Sequence, residues 1–232
     1  MTTTARNTNS IVFDLIALTK PRVNFLIIFT AIVGMLLAQD YSLNYYLMLY
    51  ASIGIYLAAS AAAVINHIVD QKIDAIMDRT KSRPLIRGNV TTNHAIYFSI
   101  FISSLSTYIL FQYVNTITTI LTLFSIIVYS IIYSVYLKNL TSQNIVIGGI
   151  AGAMPPLLGW TAMTNGVSEL PLLLFLIIFL WTPPHFWALA VYKQEDYSKA
   201  NVPMLPVTHG ADFTRLHIFL YSILLFLSLI HI

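Results

Sequence analysis

Cysteine is absent from this chain of 232 residues, and charge is scarce: Asp, Glu, Lys and Arg make up 9%. The first absence excludes a disulfide framework and thiolate chemistry. The second excludes an ordinary soluble domain, in which roughly a quarter of residues are charged. A typical signal peptide is missing too. Met1–Ser10 is polar and has no basic segment leading directly into an apolar run and a small-residue cleavage site. The first membrane helix then serves as the insertion signal. The net charge of +3 does not point to nucleic acid, because the basic residues have a better explanation.

What the chain has in abundance is apolar length. With 57% hydrophobic residues it reads as an all-α membrane protein, a single domain over 1–232. Ile11–Leu18 is apolar but holds Asp14 and is too short to cross a bilayer. It is expected at the interface. Thr19-Lys20-Pro21-Arg22 opens the first span, with Pro where its missing N–H costs little. Seven spans are expected, near Val23–Ala38, Tyr45–Ile65, Ala95–Val114, Ile117–Leu137, Asn144–Met163, Leu170–Tyr192 and Leu216–Ile232.

The basic residues test that arrangement. Seven spans put the N-terminus and the loops 66–94, 138–143 and 193–215 on one side. All twelve Lys and Arg fall there, and none falls in the connections Gln39–Asn44, Asn115–Thr116 and Thr164–Glu169. The excess marks that side as cytoplasmic, as expected of a multi-pass protein of a bacterial-type inner membrane.

The scarce charge is concentrated in one stretch. Asn66, Asp70 and Asp74 are spaced four apart, and each such step on a helix turns only about 40° past a full turn. The three side chains share a face. Oxygen ligands in that arrangement suit Mg²⁺, which usually also takes water and substrate phosphate. Arg79, Lys81 and Arg83 follow closely, so carboxylates for a metal lie beside cations for a diphosphate. A solvated helix end is the ordinary explanation for any one of these residues, but it fits the whole group poorly. His67, about 100° round from Asn66, is expected off the metal face.

A weaker echo occurs later, where Tyr192, Asp196 and Ala200 repeat the spacing and keep one strong ligand, Asp196. Four spans separate the two stretches, which suggests two parallel pseudo-repeats, about 11–137 and 144–232. Ala58–Ala63 gives the second span a smooth packing face. Gly148-Gly149, Gly152 and Pro155-Pro156 are expected to disrupt the fifth span, and Pro183-Pro184 the sixth. Such breaks occur beside a cavity, although kinked packing helices explain them equally well. His185 lies at membrane depth among Trp181, Phe186 and Trp187. It reads as a functional-site residue, against the alternative of a structural histidine bonded to a neighbouring helix.

The chemistry that these residues allow is loss of a diphosphate stabilised by metal and cations. Cleaving an allylic C–O bond would leave a carbocation that aromatic faces can stabilise. The residues by themselves do not name the acceptor.

Asn66-x₃-Asp70-x₃-Asp74 with Arg79-Thr80-Lys81-Ser82-Arg83-Pro84-Leu85 resembles the first aspartate motif of UbiA-type intramembrane prenyltransferases. Within that superfamily the chain is similar to the haem-farnesylating branch. The resemblance covers Leu18–Arg22, Tyr136–Lys138, Gln143–Gly149, Met154–Gly159, Trp181–Ala190, Asp196-Tyr197 and Pro203–Pro206. It implies a bundle of nine helices around a cavity, farnesyl diphosphate as donor and haem B as acceptor. The farnesyl C1 would join a vinyl group and water would add to the neighbouring carbon. Mg²⁺-diphosphate would be held by Asn66, Asp70 and Asp74, with Asp196 from the second half. Arg22, Arg79, Lys81, Arg83, Lys138 and Lys193 would contact diphosphate, and His185 would bind or orient the haem through its iron or a propionate. Membrane lipid surrounds such an enzyme, and haem-handling proteins are its expected partners. Ala200 replaces the second Asp of many relatives, as in the haem branch. The chain stops at Ile232 inside an apolar run, about two spans short of the family's length, and is expected to be truncated. Two other readings remain: prenylation of an aromatic acid or quinone precursor, and a non-catalytic transporter or haem-binding protein.

Overall fold

In the computed structural model, residues 8–38 and 44–231 are described. Arg6, residues 39–43 of the first connection and Ile232 lie outside the described residues. The elements between them are helical. Helix α1 (Thr8–Leu18) bends by 46° at Thr19-Lys20 into α2 (Pro21–Leu37). Helix α3 (Tyr45–Val69) is capped by Asn44, whose side chain accepts from the Leu47 amide at 3.1 Å, and is followed by the short α4 (Gln71–Ile76). Thr91 caps α5 (Thr92–Tyr113), and Asn115 caps α6 (Thr116–Ile127) with a 2.8 Å bond from the Thr118 amide.

The fourth span departs from a simple α-helix. After Ile127 it widens into a π-helix over Val128–Leu137, then closes in one turn, α7 (Lys138–Leu140). Helices α8 (Asn144–Thr164) and α9 (Glu169–Tyr192) cross next. Short α10 (Gln194–Lys199) and α11 (Leu205–His209) lead into α12 (Ala211–Ser228). The last helix begins earlier than the expected Leu216, because Gly210, at φ +85°, makes the turn that starts it. Six helices are long and apolar enough to cross a membrane, or seven if the bent α1–α2 pair counts as one span. Their exposed faces carry Phe, Leu and Ile, such as Phe101, Phe111, Phe219 and Phe226, in keeping with a lipid surround.

The prolines correct one expectation. Helix α8 runs unbroken through Pro155-Pro156 and α9 through Pro183-Pro184. Prolines are tolerated inside membrane helices that are packed among others. A Cβ on Gly34 of α2 would overlap the Pro156 carbonyl, and a Cβ on Gly159 would overlap the Ala31 carbonyl. The two backbones touch here, and Ala31, Met35, Met154, Leu157 and Leu158 fill the core around the contact. Gly148, expected as a breaker, instead makes room for the Tyr133 ring.

Helices α3 and α5 also pack closely. Ala58, Ala61, Ala62 and Ala63 are buried, and the Ser106 hydroxyl donates to the Gly54 carbonyl at 2.7 Å. At the motif end of the bundle a second core joins Met77, just past α4, to Trp187, Val202, Met204 and Leu205. The two long loops are thereby packed against each other. A third core sets Leu18 and Val90 against Ala61 and Val64.

Candidate functional site

The site forms where α3 ends. Helical hydrogen bonding carries on through the motif, since the Asp70 amide donates to the Asn66 carbonyl at 2.9 Å and the Asp74 amide to the Asp70 carbonyl at 2.8 Å. Asn66, Asp70 and Asp74 are all buried, at 5%, 3% and 3% exposure, so they are not a solvated helix end. Asn66 and Asp70 meet on one face, as their spacing predicts.

Burying carboxylates demands partners, and each has one. Lys138 Nζ donates to Asp70 Oδ2 at 2.6 Å. Arg83 makes a very short contact to Asp74 Oδ2. Lys20 Nζ donates to Asn66 Oδ1 at 2.9 Å. Asn66 in turn gives its amide hydrogens to Asp70 Oδ2 (2.9 Å) and to Ser134 Oγ (3.1 Å). Asp70 Oδ1 stays buried with no hydrogen-bond partner. Thr80 steadies the following turn through its hydroxyl, which donates to the Asp74 carbonyl at 3.0 Å.

The π-helix sets one wall of this cluster. Ser134 lies within it, bonded to the Tyr129 carbonyl at 2.9 Å, and Lys138 sits where it ends. Tyr129 and Tyr133 stack at 5.7 Å on the same segment. π-Helical turns of this kind occur frequently at functional sites. Nothing in residue spacing announced it.

The other expected residues divide. Lys20, absent from the expected contacts, reaches Asn66, while Arg22 is exposed. Burial, and then the neighbouring Arg83 charge, pull the Lys20 ammonium down to about 8. Arg79 and Lys81 are exposed, and Lys81 pairs with Asp78 at 2.7 Å. Lys193 lies 3.8 Å from Asp196 and 5.2 Å from the centre of the Tyr192 ring. Among the described residues, no hydrogen bond or ion pair joins Asp196 to the Asp70–Asp74 cluster. Among the described residues, no three His, Asp or Glu side chains converge on one metal position. His185 is exposed on α9, stacked on Trp181 at 4.2 Å and edge-on to Phe186 at 5.3 Å.

His67 corrects a second expectation. Its Nδ1 lies 4.0 Å from Asp74 Oδ2, and both ring nitrogens are buried without partners. The ideal-helix angle placed it off the face. The chain leaves α3 geometry at Asp70 (φ −82°, ψ 1°), and α4 brings Asp74 round to it.

A crossed-bundle membrane protein with buried, cation-paired carboxylates at one end is the class that fold and site define. The UbiA prenyltransferase family profile matches residues 27–232. The chain is 54% identical over 213 residues to a protoheme IX farnesyltransferase of Hahella chejuensis, covering 92% of this chain and 71% of that one. It is 55% identical over 208 residues to the enzyme of that name from Nitrosomonas eutropha, covering 90% and 70%. A UbiA homologue from Archaeoglobus fulgidus, solved with DMAPP and Mg²⁺, superimposes with a TM-score of 0.75 at 17% identity, covering 93% and 76%. A digeranylgeranylglyceryl phosphate synthase superimposes at 0.78 and 20% identity, covering 94% and 76%. This chain belongs to the UbiA prenyltransferase family and is a multi-pass membrane protein.

Proposed function

We propose that the protein transfers the farnesyl group of farnesyl diphosphate to a vinyl group of haem B, making haem O and releasing diphosphate. The observation that carries the reading is the buried Asn66–Asp70–Asp74 row with a cation on each member, in a chain more than half identical to proteins named for this activity. Asp70 and Asp74 serve as Mg²⁺ ligands, and the unpartnered Asp70 Oδ1 fits an oxygen ligand position. Water and diphosphate oxygens complete such a set. When bound, Mg²⁺ neutralises the leaving diphosphate.

The protein's own cations do the rest. Arg83 and Lys138, already fixed against the carboxylates, present N–H groups toward an incoming diphosphate without reorganising. Arg22, Arg79, Lys81 and Lys193 add positive charge at the rim. Asp196, from α10, contributes from the second half. His185 holds the acceptor. The motif loop and loop 193–215 face the cytoplasm, and the packing of α2–α3–α5 beside α8–α9–α12 supports a parallel repeat.

The test is a mass spectrum of haem extracted from membranes carrying the protein, supplied with haem B, farnesyl diphosphate and Mg²⁺. Haem gaining one farnesyl group and one hydroxyl is the expected product. Unchanged haem together with a prenylated aromatic acid would move the protein to the quinone-precursor reading.

A further inference from the structure

The backbone at Lys20 is unusual on two counts. Lys20 sits in the left-handed region, at φ 53° and ψ 57°, and it precedes Pro21. A side-chain-bearing residue rarely adopts that region, and a following proline pushes its neighbour toward extended conformations. Strain of this kind persists only where the surroundings impose it, and it clusters at functional sites.

Here the surroundings are explicit. Asn24, 2% exposed, donates both to the Thr19 carbonyl at 2.8 Å and to the Ser60 hydroxyl at 2.9 Å. The Thr19 hydroxyl closes back on the Ile16 carbonyl at 2.7 Å. The α1–α2 turn is thus tied to α3 from below, and Lys20 is thrown toward Asn66.

At Asn66 the amide orientation follows from chemistry. Lys20 Nζ can only donate, so the atom it meets at 2.9 Å is the Asn66 oxygen. Asp70 as a carboxylate can only accept, so the atom facing it at 2.9 Å is the Asn66 nitrogen. The single Asn66 atom able to ligate a metal is therefore engaged by Lys20, and its donor end is aimed at Asp70 Oδ2. Lys138 holds the same oxygen from the other side. With Oδ2 bonded twice, Oδ1 is the oxygen left available.

We infer that Lys20 is a positioning residue and that Asn66 is the amide bridge through which it orients Asp70, rather than a metal ligand. The inference rests on the reading of the site as one for a metal-diphosphate. Partners that orient a ligand in this way are worth about 10–100-fold in metal affinity or activity.

Mn²⁺ binding to the purified protein, followed by electron paramagnetic resonance, tests this apart from turnover. Lys20→Gly removes the side chain and suits the left-handed backbone, so its melting temperature is expected not to fall. Its Mn²⁺ affinity is expected to drop by about 10–100-fold. Asn66→Ala is expected to lose as much, and Lys20→Gly with Asn66→Ala no more than either, because both act through one bridge. Asn66→Asp is expected to lose affinity as well, since it sets a carboxylate against Asp70. The inference is overturned by unchanged affinity in Lys20→Gly, by additive losses, by a fall that tracks lost heat stability, or by full affinity in Asn66→Asp. If the unsubstituted protein bound no Mn²⁺, the metal-diphosphate reading itself would fail and take this one with it.

Discussion

Lys138 Nζ lies 2.6 Å from Asp70 Oδ2, joining the end of the π-helix to the break after α3. The Lys138 side chain is only 12% exposed and that of Asp70 4%, so neither charge has much water to fall back on. Removing one partner of such a pair costs about 3–5 kcal/mol, chiefly by stranding the other. Asp70→Ala is expected to abolish haem O formation and to lower the melting temperature. Lys138→Met with Asp70→Ala is expected to recover stability without recovering activity. Thermal unfolding in detergent beside a turnover assay checks both, and near-normal turnover in Asp70→Ala would refute the ligand role.

Asp74 is the second half of the same argument. Arg83 satisfies it and is itself part-buried. Asp74→Ala is expected to eliminate turnover while the protein still inserts into the membrane. Residual product at wild-type levels, measured on protein-normalised membranes, would show that Asp74 is a structural partner of Arg83 and nothing more.

His185 invites the opposite comparison. Its ring is exposed and stacked on Trp181, so its loss opens no cavity. His185→Ala is expected to leave the melting temperature within about a degree, weaken the Soret-band titration with haem B, and leave farnesyl diphosphate binding intact. An unchanged haem titration would remove His185 from the acceptor site.

The topology can be read with introduced cysteines, since the chain has none of its own. Asn89→Cys in the motif loop is expected to label only from the cytoplasmic side. Val167→Cys, 51% exposed in the α8–α9 connection, is expected to label only from the opposite side. The reverse pattern would invert the orientation drawn from the basic residues.

Glycine substitutions probe the backbone contact between α2 and α8. Gly34→Ala and Gly159→Ala force a methyl into a carbonyl and are expected to cost at least about 1–3 kcal/mol. Gly152→Ala, which meets nothing within 4 Å, is expected to be neutral or slightly stabilising. Melting temperatures of the three variants decide it.

Much of this was legible before any coordinates. Apolar length gave the spans, the basic residues picked out the loops that pack together at one end, and fourfold spacing brought Asn66 to Asp70. What escaped has definite causes. Lys20 was overlooked because its reach depends on a left-handed turn held by Asn24 and Ser60, distant in sequence. Ser134 depends on a π-helix, which has no pattern of its own in the residues. His67 was misjudged because a straight helix was assumed through Asp70. Pro155 and Pro183 suggest breaks, yet both helices are continuous, and at Pro156 the backbone of α2 packs directly against α8.

The contact of Gly34 with Pro156 and of Gly159 with Ala31 has a mechanical consequence. Two helices that meet backbone to backbone, with no side chains between them to re-pack, behave as a keel: they cannot slide or part by small steps. Any loosening of the bundle must therefore fall where side chains separate the helices. The seam between α9 and α12 is such a place, its contact made by the rings of Trp187, His217 and Tyr221. Rings can turn where backbones cannot, so that seam, and not the α2–α8 contact, is where the bundle has room to give.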